Sequence, residues 1–333
     1  MGISKYGTQS LEIYFEAKKH EDNIIKILFF PDSKLFATCS LDGKLLIWDL
    51  INKCTVNSFI IEDSINSVSF LKDSNYLIFC TECASINYCR ADSPNFETKI
   101  NGNLLEHTSI SVSSDERYLA YGCKMLVLYD LAKSKSIAKC PNYNFKCSCL
   151  KFSANGVLLG CGYFSGEICI LEVPHLTLKY RFYFSKSEIQ CLTFSLSCNL
   201  IGYATAGQVK IQFLKKDEIV YKESVKDIYA MEFCLNDEKF VYSDDKYNIN
   251  IINKKFVKEA TVEFNEFVFG MMVVGDNENL ILYHGYTNWS CLNLKTCKRV
   301  FESKSKKEFE KWASNQKTLK YRAIVKLSQF VLG

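Results

Sequence analysis

The sequence predicts an all-β protein, a seven-bladed β-propeller of four-stranded blades followed by a short, partly helical basic tail. Three observations carry this expectation: a turn former recurs at forty-odd residues, the composition suits strands, and the charge changes sharply at residue 303.

The recurrence comes first. A strand-ending hydrophobe, two residues, a turn former, two residues and two mostly apolar residues occur seven times. The segments are FFPDSKLF ending at Phe36, FLKDSNYL at Leu77, VSSDERYL at Leu119, FSANGVLL at Leu159, FSLSCNLI at Ile201, FCLNDEKF at Phe240 and VVGDNENL at Leu280. The turn formers Asp32, Asp73, Asp115, Asn155, Ser197, Asn236 and Asp276 follow one another at gaps of 41, 42, 40, 42, 39 and 40 residues. That spacing is the size of a four-stranded propeller blade, a unit that cannot bury its apolar face alone and must stack on neighbours.

Each unit reads as four strands. In the first they run 24–30, 35–40, 44–50 and 54–61; the fourth unit repeats the plan at 146–152, 157–162, 166–172 and 177–183. Alternation such as Ile168 and Ile170 against Glu167 and Cys169 marks strands, while many runs are apolar on both faces, as sheets sandwiched between sheets require. Few windows before residue 303 hold a 3.6-residue period, which argues against a chain of helices.

Composition agrees. Hydrophobic residues make up 48% and charged residues 23%, ordinary values for a chain that buries a core. The 19 Tyr and 24 Phe favour pleated, half-buried surfaces, and only four Pro argue against Pro-rich linkers. Of the 16 Cys, Cys39, Cys80, Cys147, Cys149, Cys161, Cys191 and Cys234 fall inside strand-like runs, where they read as small hydrophobes. The opening MGISKYGTQS has no apolar signal-peptide core, so a reducing compartment, cytoplasmic or nuclear, is expected. No apolar run approaches the length of a membrane span, and Tyr6 stands where a myristoylation motif wants Ser or Thr; no membrane partner is expected.

The stretch SLDGKLLIWDL, residues 40–50, carries a resemblance. His20, Thr38, Asp42 and Trp48 stand at the spacing of a WD40 repeat, with Ile24, Ile27 and Phe29 following His20 at the apolar positions. The first blade resembles that β-propeller family. The resemblance implies a hydrogen-bonded structural tetrad in which Asp42 fixes one His20 nitrogen, the other meets the Thr38 hydroxyl, and that hydroxyl accepts from the Trp48 indole. Such groups are tolerable inside only when so connected. The later blades depart from it. Cys83, Cys123, Ser165, Gly207, Lys246 and Tyr286 stand at the Asp42 place, and Cys89, Tyr129, Leu171, Phe213, Ile252 and Leu292 at the Trp48 place. Only Tyr129-Asp130 echoes Trp-Asp, so apolar packing between sheets is expected to hold blades two to seven.

The propeller is expected to span residues 1–303, with an N-terminal strand at 10–17 helping to close the ring and avoid an open edge. There Leu11, Ile13 and Phe15 alternate with Glu12, Tyr14 and Glu16; the segment 297–302 is a rival for the same slot. The tail, 304–333, is separate. Residues 303–333 hold eight Lys or Arg and two Glu, a net of +6 in a chain of +4, so the basic character belongs to the tail. Residues 304–320 read as a helix with Ser305 and Glu308 as a capping pair; 323–332 reads as helix or strand. Lys304, Lys306, Lys307, Lys311, Trp312, Lys317, Lys320 and Arg322 form a partner-docking candidate, for RNA or an acidic surface, unless Phe309, Trp312 and Leu319 simply pack on the propeller.

Signs of chemistry are sparse. His107, His175 and His284 are scattered over different blades, and Cys80–Cys83 is a lone CxxC without the second pair or His partners a zinc site needs. The carboxylates Asp244 and Asp245 read as a blade turn. The run of Lys179, Tyr180, Arg181 and Phe182 reads as an outer strand with basic stems over apolar surface, or else as a stacking platform for RNA. No catalytic residue, cofactor, metal or small-molecule substrate is expected. The expected function is a non-enzymatic protein–protein interaction scaffold, a subunit of a larger intracellular complex. The alternative is an RNA-associated propeller, ribosome-bound or ribosome-assembling, that uses the basic tail.

Overall fold

The computed structural model describes residues 24–302 apart from 30–34, 41, 50–53, 62, 72–75, 82–84, 91, 94, 101–108, 123–124, 142–146, 184–185, 217, 265–267, 275–278, 285–287 and 296–297. The segment 10–17 and the tail 304–333 therefore lie outside the described residues.

The described residues form seven four-stranded antiparallel sheets, each drawn from one continuous stretch of chain. In chain order, sheets one to seven cover 24–60, 65–100, 109–141, 147–183, 189–225, 228–263 and 268–302. Within each sheet the strands pair in sequence order, here termed inner, second, third and outer. Sheet one has strands Ile24–Phe29, Leu35–Ser40, Lys44–Asp49 and Cys54–Ile60, and sheet four Cys147–Phe152, Leu158–Tyr163, Glu167–Glu172 and Thr177–Tyr183. These lie within about one residue of the predicted bounds, the usual scatter of strand ends. Strand Lys298–Glu302 is the outer strand of sheet seven, paired to Asn288–Asn293.

Inner strands of consecutive sheets lie side by side, from Ile24–Phe29 through to Val268–Val274. A separate apolar cluster fills each sheet boundary: Ala37, Leu45 and Ile47 meet Val68 and Phe79; Ile78 and Ile86 meet Leu119 and Val127; Leu126 and Leu128 meet Phe152 and Cys161. Further along, Ile168 and Ile170 meet Phe194 and Ile201, Val209 and Ile211 meet Phe240 and Tyr242, and Val241 and Ile251 meet Leu292 and Leu294. The second strands are accordingly buried on both faces, whereas Thr177–Tyr183 and Lys258–Glu263 are mostly exposed outer strands. This explains why the middle runs are apolar throughout rather than alternating. Gly202 shows how closely sheets approach: a Cβ there would stand 2.5 Å from Phe240 of the next sheet.

The recurrent turn joins inner to second strands, and in sheets three, four and five a buried serine organises it. Ser153 N donates to Leu158 O at 2.9 Å, Leu158 N donates back to Ser153 Oγ at 2.9 Å, and Ser153 Oγ donates to Asn155 Oδ1 at 2.7 Å. Ser113 with Tyr118 and Asp115, and Ser195 with Leu200 and Ser197, repeat the arrangement. The following residue takes positive φ each time: Glu116 at 56°, Gly156 at 70° and Cys198 at 56°.

Two β-bulges recur as well. One follows the first residue of the inner strand in six sheets, as at Ile24/Lys26 and Ile189/Cys191. The other sits between third and outer strands, at Ile47/Trp48, Leu128/Tyr129, Ile170/Leu171, Ile211/Gln212, Ile251/Ile252 and Cys291/Leu292. The pairing of second and third strands corrects one expectation: in sheet five the Trp48 place belongs to Gln212, paired with Ile201, and not to Phe213. The hairpin there is short, with only Ala206 and Gly207 (φ 102°) between the paired Thr205 and Gln208, and so the register slips by one.

Candidate functional site

Each sheet has a hairpin end, with the second-to-third turns and the links into the next sheet, and a turn end, with the inner-to-second turns. In sheet one the Trp48 Nε1–H donates to Thr38 Oγ1 at 2.9 Å with both side chains buried. Asp42 lies in the hairpin, where its Oδ1 accepts from Lys44 N at 2.9 Å and its own N–H donates to Ser40 Oγ at 3.2 Å. His20 lies outside the described residues, as do Lys304, Lys306, Lys307, Lys311, Trp312, Lys317, Lys320 and Arg322.

Other sheets carry different polar groups, Gln212 at the Trp48 place, Asp130 at the Asp49 place and Asp244 at the Ser40 place. Buried Gln212 accepts from the Tyr203 hydroxyl at 3.4 Å. Buried Asp130 accepts from Lys133 N at 2.9 Å and faces Lys133 Nζ at 3.6 Å, contacts that hold its carboxyl below the usual range. In the sheet-six hairpin, Asp244 Oδ1 accepts from Lys246 N and Asn248 N at 2.9 Å each, and Oδ2 from Asn250 Nδ2 at 2.8 Å.

A network that sequence reasoning missed joins sheets five and six. Glu223, on an outer strand, accepts from the Tyr242 hydroxyl at 2.6 Å and also from Tyr221 and Lys258; Lys258 reaches Asn250 Oδ1 at 3.2 Å. Burial raises the Glu223 pKa, but the hydrogen bonds from Lys258 and the two phenols outweigh it and leave it lowered. The only sequence signal was an acid and a base spaced within outer strands, which a solvated face also shows.

At the inner edges, Lys151 of sheet four faces Glu232 of sheet six at 3.4 Å, and Thr193 of the intervening sheet donates to the same carboxylate at 2.9 Å. Side chains two sheets apart meet only if the inner edges converge. Eleven described cysteines carry free thiols; burial pushes Cys191 up to about 12 and Cys161 well above its ordinary value. Such thiols are inert packing groups. Among the described residues no His, Cys, Asp and Glu group of three or more is placed to hold a metal ion. Cys80 lies on the strand Tyr76–Thr81, Cys83 outside the described residues, and His175 is exposed in a turn.

Several large apolar side chains stand out at the hairpin end: Ile60 is 70% exposed and Tyr183 69%, with Met125, Phe164 and Tyr247 also open to solvent. The buried side-chain polar atoms without a partner among the described residues, Ser165 Oγ, Gln190 Oε1 and Asp245 Oδ1, lie at this same end, in sheets four, five and six.

Residues 12–49 match the family model described as WD domain, G-beta repeat, a stretch that contains His20, Thr38, Asp42 and Trp48. No curated protein matches the chain.

Proposed function

We propose, from the premise that this chain carries a WD40 repeat within an all-β array of antiparallel sheets consistent with a WD40 propeller, that the seven sheets close into one ring serving as a non-enzymatic interaction scaffold, a subunit of a larger complex. WD40 repeats generally mediate protein–protein interactions. The observation that carries the reading is the reach of Lys151 to Glu232 past Thr193. Converging inner edges make a rigid disc, and loops on a rigid disc are free to serve recognition. The apolar side chains exposed at the hairpin end supply contact area. The free thiols of the described cysteines support an intracellular setting, cytoplasmic or nuclear.

Affinity purification of the tagged full-length chain tests this. A stoichiometric partner that persists through size-exclusion chromatography is the expected result; recovery of the lone monomer overturns it. Solution scattering tests ring closure: a compact 333-residue chain has a radius of gyration of about 20 Å, and an open arc exceeds it.

The net charge of +6 in residues 303–333 favours a second reading, in which the tail engages RNA. Binding of the full-length chain to RNA then weakens steeply with salt and vanishes when 304–333 are deleted. Salt-insensitive binding, or unchanged binding by the truncated chain, removes that reading.

A further inference from the structure

We propose that the open edge of sheet three, its outer strand Lys135–Pro141, takes up an extended acidic segment of a partner protein as a fifth strand. The proposal rests on the scaffold reading and says where, and by what chemistry, one partner is held.

The strand pairs with Met125–Asp130 on one side and, among the described residues, with no strand on the other. Along such an edge alternate N–H and C=O groups turn outwards, a template that one more strand can complete. Lys135, Ser136, Ile137 and Lys139 are exposed, and the strand contains no acid. Ile137 is the extra residue of the bulge between third and outer strands and is 37% exposed. Met125, paired with Pro141 at the hairpin end, is 38% exposed. Apolar contact is therefore on offer in the middle of the edge and at its end.

The state of its cations singles out sheet three. In sheet four, Lys179 is tied to Glu172 and Arg181 to the buried Glu167. In sheet six, Lys258 is tied to Glu223, which the outer strand of sheet five supplies. Sheet three ties only Lys133, in the turn before the strand, to Asp130. Lys135 and Lys139 form no ion pair among the described residues. Lysines on an edge keep copies of the same strand from adding, since like charges would oppose one another. They do not bar an acidic strand. The backbone ladder forms with any sequence, and carboxylates opposite the lysines add to it. The edge is thus closed to itself and open to an acidic segment, which is specificity by charge. The outer strands of sheets four and six, whose cations already have carboxylates, offer no such preference.

The test is fluorescence polarisation with the full-length chain and the fluorescein-labelled peptide Ser-Glu-Glu-Val-Val-Glu-Glu-Ser. One control has Lys for every Glu. The other has Pro-Pro for Val-Val, which keeps every charge but removes two N–H groups, one of which faces the edge in either register. The acidic peptide is expected to bind, more weakly as salt rises. The Pro-Pro peptide should bind at least about tenfold more weakly, and the Lys peptide not at all. Lys135→Glu with Lys139→Glu should weaken binding about tenfold or more. Lys255→Glu, the same charge change at the exposed turn end of sheet six, should leave it unchanged. Thermal melts show whether the double variant folds; if it does not, Lys135→Gln with Lys139→Gln decides. Equal binding of the Val-Val and Pro-Pro peptides would reduce the edge to a general cationic patch and overturn the proposal. Undiminished binding by the folded double variant, or no binding up to about a millimolar, overturns it as well. Peptide binding as expected with no co-purifying partner leaves the edge and removes the scaffold reading. A partner that co-purifies while the peptide fails to bind leaves the scaffold reading and removes the edge.

Discussion

Sheets one and six reach the same backbone geometry by opposite means. Sheet one is fastened from within, by the Trp48 indole donating to the Thr38 hydroxyl. Sheet six has Tyr242 and Ile252 at those two places, and its polar fastening has moved outwards. The Tyr242 hydroxyl crosses to Glu223 of sheet five, while Asp244 ties its own hairpin. Both keep the bulge at the third strand and the buried second strand. The repeat is thus a backbone plan with apolar layers; polar fasteners are interchangeable so long as each buried group finds a partner.

The largest expected effect separates an indole fastener from a smaller one. Trp48→Ala removes a fully buried ring and should cost about 3–5 kcal/mol, read by urea denaturation. Gln212→Ala, at the equivalent place in sheet five, should cost about 1–2 kcal/mol, since its bond from the Tyr203 hydroxyl is long, at 3.4 Å, and less volume is removed. Equal losses would break the comparison, because they would mean that the place matters and its occupant does not.

Within sheet six the same logic predicts that Asp244→Ala costs about 2–3 kcal/mol, for it strands two backbone N–H groups and the Asn250 amide. Thr38→Val in sheet one strands only the indole N–H among its known donors and should cost about 1–2 kcal/mol. Denaturant midpoints for the two variants check the order.

The sequence revealed the fold through its periodic turns, because the buried Ser113, Ser153 and Ser195 and the turn formers two residues later are chemically constrained by the turn itself. The strand bounds followed from them. The bulges were not legible, since an extra residue in a strand leaves no composition signal. Phe213 stood in for Gln212 because of the hairpin before it: two-residue turns and longer ones cannot be told apart by counting from the previous turn. The sheet-five-to-six network was hidden for a different reason. Glu223, Tyr242 and Lys258 lie on three strands, brought together by stacking alone.

That network should titrate, and the Thr38–Trp48 pair should not. The folded-state pKa of Glu223 lies below its ordinary value. Its contribution is therefore complete above the unfolded-state pKa of about 4.3 and is lost as pH falls through the lower folded value. Between pH 7 and 3 the melting temperature of the original chain should fall more than that of Glu223→Gln. Parallel curves would show that the carboxylate contributes nothing by its charge.

The smallest effect concerns the turns. Cys198 sits at φ 56° in the place where sheet four has Gly156 at 70°. A side chain in the left-handed region crowds its own backbone, by about 1–2 kcal/mol for a non-glycine residue, partly offset by the freedom glycine gives the unfolded chain. Cys198→Gly should therefore stabilise by about 0.5–1 kcal/mol. Asp237, also at positive φ in the corresponding turn of sheet six, should respond with the opposite sign. Its carboxylate accepts from Leu196 N at 2.6 Å and Ser197 N at 2.8 Å in the neighbouring turn, so Asp237→Gly relieves strain but cuts a link between sheets. Chemical denaturation of both variants separates the two cases: stabilisation by both would mean that backbone strain outweighs the link, and destabilisation by both would mean that the turn backbone carries no strain worth relieving.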